Sequence, residues 1–318
     1  MDDQPYLLIP TNSTDGTCDS LVRVLKETGQ VFFRWNIDLW RHYETHFDGS
    51  GFFFSDPTGR TVDATKANVL LIWRKPFTAL MNFDDLDIEE ADQEQARVQI
   101  GQWLQALVAL MKPAGRVRLI EPFADRRLPK LYQLYAAQAY FAVPRSHFGI
   151  TTRPCNFGPT MITKPLGDPG VGGDNIFYTQ RVDGEELFRP YPWFVQEALV
   201  EGLDVTCVYI LGRSHFFVCG FERGESAIDW RVEINTETQS PWLELNHPHL
   251  PKWQDAVQAY MCHFGLHYGR LDFILQGNTL YFLECNSNGQ FGWLDDQEAL
   301  PLHHEFVSAV LDPASTVV

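Results

Sequence analysis

Residues 268–293, YGRLDFILQGNTLYFLECNSNGQFGW, constrain this chain more than any other stretch. Two short apolar runs flank Gly277-Asn278, a pair suited to turning a β-hairpin. Asp272 lies on the first run. Glu284, Asn286 and Asn288 lie on and just after the second. Such a hairpin brings two carboxylates and two amide oxygens to one sheet edge among apolar neighbours. Hard oxygen ligands of this kind suit Mg²⁺, which is usually held by one or two carboxylates together with substrate phosphates. The expected feature is the metal end of a nucleotide site.

Register decides whether these groups meet, because side chains alternate faces along a strand. A three-residue loop, Gly277 to Thr279, places Asp272 directly across from Glu284 on one face. A two-residue loop, Gly277-Asn278, sends the two carboxylates to opposite faces. Three-residue loops containing glycine are common, so the metal site is allowed and not forced. A surface hairpin with scattered acids is the competing description.

The chain has 318 residues, enough for two or three structural units with a sizeable core. Apolar residues make up 45% and aromatics 14%, the balance of a globular chain and not of a disordered one. The net charge is −16, with 41 acids against 25 bases, so the basic footprint of a general nucleic-acid binder is missing. No apolar run approaches the length of a membrane span. The first residues, MDDQPYLLIPTNS, are acidic where a signal peptide is basic. Cys18, Cys155, Cys207, Cys219, Cys262 and Cys285 are scattered without a CxxC pair, and read as reduced thiols of a cytoplasmic protein. The ten histidines show no metal-ligand spacing; Cys262-His263 with His267 is better explained by a helix surface.

Along the chain, residues 1–75 read as a small α/β unit. Strands are expected at 6–10, 31–35, 52–54 and 69–73, the last two completing one sheet, with a helix at 18–28 stopped by Gly29. Alternating strands and helices favour a parallel arrangement. A long helix is expected over 86–111, opened by acids that suit its dipole. A second helix is expected over 127–141 with Pro129 in its first turn. A mostly β region from 160 to 234 follows, then a helix over 253–264, the hairpin, and a final helix near 303–311.

Several segments carry groups fit for chemistry. Lys164 ends a strand and runs into PLGDPGVGGDN (165–175), a glycine-rich flap whose N–H groups could cover phosphates. Gln196-Glu197 closes an apolar strand where an adenine edge could bond, and Asp204 nearby could take ribose hydroxyls. Arg231, beside Trp230, offers a planar donor fork for phosphate or carboxylate. Arg74 and Lys75 end the strand 70–73, where α/β sheets hold ligands in a crevice. Each has a bland counterpart: a loose hairpin tip, an edge strand, a structural ion pair, a solvated strand end.

The order of these pieces is more specific than any one. A lysine on a helix (Lys130), a lysine before a glycine flap (Lys164), Gln196-Glu197, Arg231 and a D…ExNxN hairpin occur in that sequence. The series resembles the ATP-grasp fold over residues 119–311, and is most similar to the graspetide (microviridin-type) maturases of ribosomally made peptides. LIWRKPF (71–77), PKLYQL (129–134), TKPLG (163–167), FVQEALVEGLD (194–204), DWR (229–231) and, most specifically, ECNSNGQFGW (284–293) carry the likeness. The fold class expected is α/β (α+β): an ATP-grasp fold with an N-terminal α/β domain at 1–118, a central subdomain with the flap at 119–190, and a C-terminal domain with the metal hairpin at 191–318. One departure stands out. Thr206 or Cys207 occupies the place of an arginine that the family often carries after the hinge.

The resemblance implies an ATP-dependent ligase. A peptide Asp or Glu carboxylate is phosphorylated, and a hydroxyl or amine then attacks it to give an intramolecular ester or amide. It implies Mg²⁺ on Asp272, Glu284 and Asn286. Lys130, Lys164, Gln196, Glu197, Asp204 and Arg231 would serve ATP, with Lys164 and Arg231 also catalytic. Arg74 and Asn288 would serve the substrate, an acidic precursor peptide, in a homodimer. Two other readings stand beside it: a ligase adding an amino acid to a small acid or protein tail, and a nucleotide-binding module without turnover.

Overall fold

The computed structural model describes residues 4–84, 86–149, 160–166, 179–182, 192–220 and 242–318. β1 (Tyr6–Thr11) leads into α1 (Gly16–Glu27), and β2 (Phe32–Asn36) returns parallel to β1. Asp15 caps α1 by accepting from the N–H of Cys18, and Gly29, at φ +68°, ends it as expected. β3 (Glu44–Phe47), β4 (Phe52–Ser55) and β5 (Thr61–Asp63) then form an antiparallel sheet of their own. Residues 52–54 were expected in the first sheet. They leave it because Asp48 closes a tight turn onto the N–H groups of Ser50 and Gly51, folding β4 back on β3. β6 (Val69–Ile72) pairs with β1, and after α2 (Glu90–Met111) comes β7 (Val117–Arg118), giving the order β2-β1-β6-β7.

The expected helix over 127–141 is two pieces, α3 (Ala124–Arg127) and α4 (Lys130–Ala137). Pro129 crowds the residue before it, and Leu128 accordingly sits at φ −120°, ψ 61°, outside the helical region. Lys130 therefore opens a fresh helix and does not ride in the middle of a longer one. β8 (Ser146–Gly149), β9 (Met161–Thr163), β10 (Gln180–Val182) and β11 (Trp193–Glu197) make an antiparallel sheet in the order β10-β9-β11-β8.

The last sheet holds β12 (Leu203–Ile210), β13 (Arg213–Cys219) and β14 (Trp242–Glu244). After α5 (Leu250–His263) it is completed by β15 (Tyr268–Gln276) and β16 (Thr279–Asn286), in the order β14-β13-β12-β15-β16. α5 begins earlier than the expected 253, with Pro251 in its first turn, where the missing N–H costs nothing. α6 (Pro301–Leu311) starts in the same way.

Among the described residues there are two large apolar cores, beside a small cluster of Met161, Val182, Trp193 and Val195. One gathers α4, α5 and one face of the last sheet around Tyr260, Phe273 and Phe282. The other surrounds the first sheet and includes Phe291, Leu302, Phe306 and Val310 from the C-terminal end. The chain's end thus packs on its beginning, which draws the loop after β16 to the N-terminal unit. Among the described residues, no helix is long and apolar enough to cross a membrane.

Candidate active site

The hairpin turn is the two-residue one: Gln276 pairs with Thr279, and Gly277 takes φ +58°. That turn alone would part the two carboxylates. A bulge brings them back. Phe273 pairs with Phe282 and Asp272 with Glu284, which leaves Leu283 as the extra residue. Burial follows the shift: Leu280, Phe282 and Cys285 are buried, while Glu284 and Asn286 are half-buried. Without the bulge the alternation would drive Glu284 into the core, a costly place for a carboxylate.

Asp272 and Glu284 therefore share a face with Asn286, and Thr206 of β12 lies opposite Asp272. Asp272 Oδ1 accepts from the Thr206 hydroxyl at 2.9 Å. Its Oδ2 accepts from Arg270 Nη2 at 2.9 Å and from Asn286 Nδ2 at 3.1 Å. The same Asn286 nitrogen donates to Glu284 Oε1 at 3.2 Å. Lys130 Nζ lies 3.0 Å from Glu284 Oε2 and donates to the Pro165 carbonyl at 3.3 Å. Burial opposes ionisation of Glu284, but Lys130 and Lys164 outweigh it and hold the carboxyl well below its usual range. Lys164 is pushed below the ordinary lysine value, first by burial, with Lys130 adding to it and Glu284 opposing. Its ammonium lies 5.8 Å from the centre of the Phe194 ring.

These groups line a cleft of about 930 Å³. The residues fit a magnesium–nucleotide group. The Asn286 –NH₂ bridges both carboxylates, the point where negative charge is densest and a cation is wanted. A half-turn of that amide would present its oxygen there beside Asp272 and Glu284. Two carboxylates and an amide leave positions for phosphate oxygens and water, the usual pattern for Mg²⁺. Among the described residues, no group of three or more His, Cys, Asp or Glu stands ready to hold a metal.

Asp204, two residues before Thr206 on the same face of β12, is buried and also lines the cleft. Gln196 and Glu197 are not among the residues lining it. Gln196 is fully buried, its Nε2 donating to Ser146 Oγ at 2.9 Å. Glu197 is held by Arg145 at 3.0 Å. Arg231, and the flap beyond Leu166 up to residue 178, lie outside the described residues.

The expectation for Arg74 needs correction. Its side chain is 1% exposed, with its guanidinium bound to Asp15 and Asn288. A cation sealed in this way does not meet a peptide. Asn288 borders the cleft, but both ends of its amide are engaged, with Arg74 and with the Trp73 carbonyl.

Sequence reasoning passed over Arg270. It sits two residues before Asp272, so strand alternation alone puts it on the same face. Its guanidinium lies 5.0 Å from the Trp293 ring centre and donates to the Gln290 carbonyl at 3.1 Å. Where the resemblance leads one to expect an arginine near the start of β12, Thr206 stands, and Arg270 on the adjacent strand brings a guanidinium to the same carboxylate. Gly289 explains part of the NSNGQ motif. A Cβ there would fall 2.6 Å from Arg270 Cβ and 3.2 Å from Asn286 Cβ, so only glycine lets the loop pass between them.

By sequence, no protein-family model and no curated protein matches the chain. Solved structures match along nearly all of it. A RiPP-associated ATP-grasp ligase of Chryseobacterium gregarium, in complex with ADP and a leader and core peptide, superposes with a TM-score of 0.78 at 16% identity, covering 99% of this chain and 100% of that one. The chain adopts the ATP-grasp fold. Two further neighbours agree. The macrocyclase MdnC of Microcystis aeruginosa, bound with precursor peptide MdnA, gives 0.76 at 18% identity over 96% of this chain and 99% of its own. The ligase PsnB, complexed with a minimal precursor, Mg and ADP, gives 0.66 at 17% identity over 96% and 97%. In ATP-grasp terms, β12, β15 and β16 carry the carboxylate site, while Lys130 and Lys164 approach it from α4 and the end of β9.

Proposed function

We propose that this chain is an ATP-dependent carboxylate ligase that crosslinks a ribosomally made precursor peptide. The reading rests above all on Asp272, Glu284 and Asn286 meeting Lys130 and Lys164 in one cleft of an ATP-grasp fold. The three neighbours named above are ligases or macrocyclases bound to precursor peptides, two with ADP and one with Mg. Bound Mg²⁺ would neutralise phosphate charge and fix the terminal phosphate of ATP in line with its acceptor.

The chain's own residues do the rest. Lys130 exchanges Glu284 for phosphate oxygens as the nucleotide enters, and Lys164 adds its charge beside them. Asp204 takes the ribose, and Arg231 adds a guanidinium to the phosphates. A peptide Asp or Glu oxygen attacks the terminal phosphorus, ADP leaves, and an acyl phosphate forms on the peptide. A hydroxyl or amine of the same peptide then attacks that carbonyl, and phosphate departs. Such transfer needs positioning and charge neutralisation more than covalent help from the protein.

The peptide is acidic and so is the protein, at −16. Attraction must therefore be local, and Lys75, Lys130, Lys164 and Arg270, all lining the cleft, supply it. On this reading the enzyme works in the cytoplasm as a homodimer, each copy built from an N-terminal domain (1–118), a flap subdomain (119–190) and a metal-bearing domain (191–318). The test is incubation with ATP, Mg²⁺ and short acidic peptides rich in Asp, Glu, Thr, Ser and Lys. ADP release coupled to loss of one water's mass per bond from a single peptide is expected. Gain of an amino acid's mass, or nucleotide binding without turnover, would refute it.

A further inference from the structure

Among the described residues, Arg74 is the largest charged side chain that is fully buried, and the reaction as proposed does not use it. Its Nε and Nη2 meet Asp15 Oδ2 and Oδ1, both at 3.2 Å. The remaining arm, Nη1, donates to Asn288 Oδ1 at 2.8 Å, and Asn288 Nδ2 donates to the Trp73 carbonyl at 2.9 Å. Asn288 is thus pinned at both ends by residues more than 200 positions away in the chain. Asp15 is fixed in turn: it caps α1 at Cys18 and accepts from the Thr11 hydroxyl at 3.0 Å.

Asn286 and Asn288 belong to one hydrogen-bonded turn, because Gly289 N–H donates to the Asn286 carbonyl at 3.0 Å. Displacing Asn288 therefore displaces Asn286. A second clamp lies just beyond. Thr17 Oγ1, in the first turn of α1, accepts from the N–H groups of Phe291 and Gly292, both at 3.1 Å. A third comes from beneath: the Tyr268 hydroxyl donates to the Gly289 carbonyl at 2.5 Å. The loop that leaves the carboxylate site is thus held by the N-terminal unit at two points and by β15 at two more, through Tyr268 and Arg270.

We propose that Arg74 is a positioning residue for the metal end of the cleft. Clamped on Asp15, it sets Asn288, and through the 286–289 turn it sets the Asn286 amide against Asp272 and Glu284. The N-terminal unit on this account is the jig that shapes the ion site. An arginine is needed because a planar fork can bind a carboxylate with two nitrogens while a third reaches an amide; lysine offers a point charge. Removing a residue that orients a metal ligand typically weakens the metal about 10- to 100-fold.

The inference rests on the proposed magnesium–nucleotide reading, and its test separates the two. ADP binding is measured by calorimetry across a Mg²⁺ series and in EDTA, for wild type, Asn288→Ala, and the double variant Asp15→Asn/Arg74→Met. Asn288→Ala leaves the buried pair whole, and melting checks that it is folded. In the double variant, an asparagine oxygen still caps α1. The expected result is a rise of about 10- to 100-fold in the Mg²⁺ needed for half-saturation in both variants, with ADP affinity in EDTA unchanged. An unchanged Mg²⁺ midpoint in folded Asn288→Ala, or an equal loss with and without Mg²⁺, overturns the positioning role while the functional reading stands. No Mg²⁺-dependent ADP binding by wild type overturns both.

Discussion

Glu284→Gln should lower ADP release in the presence of peptide by about 1,000-fold, a loss of roughly 4 kcal/mol of transition-state stabilisation. Glutamine keeps the shape and removes the charge. Three consequences combine. On the proposed reading, Mg²⁺ would lose one of two carboxylate ligands, since Asp272 and Glu284 face each other across the hairpin. Lys130, 3.0 Å from the carboxylate in the wild type, loses its counter-charge. Lys164, which Glu284 helps to keep protonated, shifts further below its ordinary value. Asp272→Asn should act in the same direction, and the two together should cost little more than one, because both serve a single ion. A coupled assay of ADP release reads the effect. A fall of less than about tenfold would mean that Glu284 does not hold the ion.

Arg74→Ala should lower stability by about 3–5 kcal/mol, because it leaves a buried charge without its partner. At roughly 2–4 °C per kcal/mol for a chain of this size class, melting should fall by about 10 °C. Asp15 supplies the reason. Burial works to raise its carboxyl, and Arg74, first by charge and then by hydrogen bonding, more than reverses this, leaving it below the usual 3.8. Without Arg74, burial dominates and the carboxyl rises above its unfolded value. A group raised in the folded state favours folding at low pH and loses that benefit as pH rises. The deficit of Arg74→Ala against wild type should therefore shrink as pH is lowered from neutral towards the carboxylate range. Asp15→Asn/Arg74→Met should recover most of the loss. Equal melting of Arg74→Ala and wild type at pH 7 would contradict this.

The hairpin could be found in the sequence because its turn pair, its two acids and its apolar flanks are all local. Its register could not. The two-residue turn sends Glu284 to the wrong face, and only packing of Phe282 and Cys285 into the core selects the bulge at Leu283. Nothing in residues 279–286 alone announces it, although the apolar sequence Leu280, Phe282, Leu283, Cys285 does break step there. The helix break at Pro129 was local and legible; the sequence reading placed the proline inside the helix and missed the restraint on Leu128. Arg270 was legible too, by alternation from Asp272. Arg74 was different in kind. Strand-end logic sends such a cation to the crevice, and the logic fails because Asp15 and Asn288, distant in sequence, close over it. Likewise Phe52–Ser55 has a strand's composition, but which sheet it joins depends on the turn at Asp48. The order of motifs led to the ATP-grasp fold, although no single motif would have done so.

Diffraction from crystals grown with ADP and Mn²⁺, collected for the anomalous signal of manganese, tests the central claim most directly. A peak should stand between Asp272 and Glu284, about 2.1–2.2 Å from an oxygen of each, with the Asn286 amide turned to present its oxygen and a phosphate of ADP completing the shell. A peak elsewhere, or an Asn286 nitrogen still bridging the two carboxylates with nucleotide bound, would contradict it.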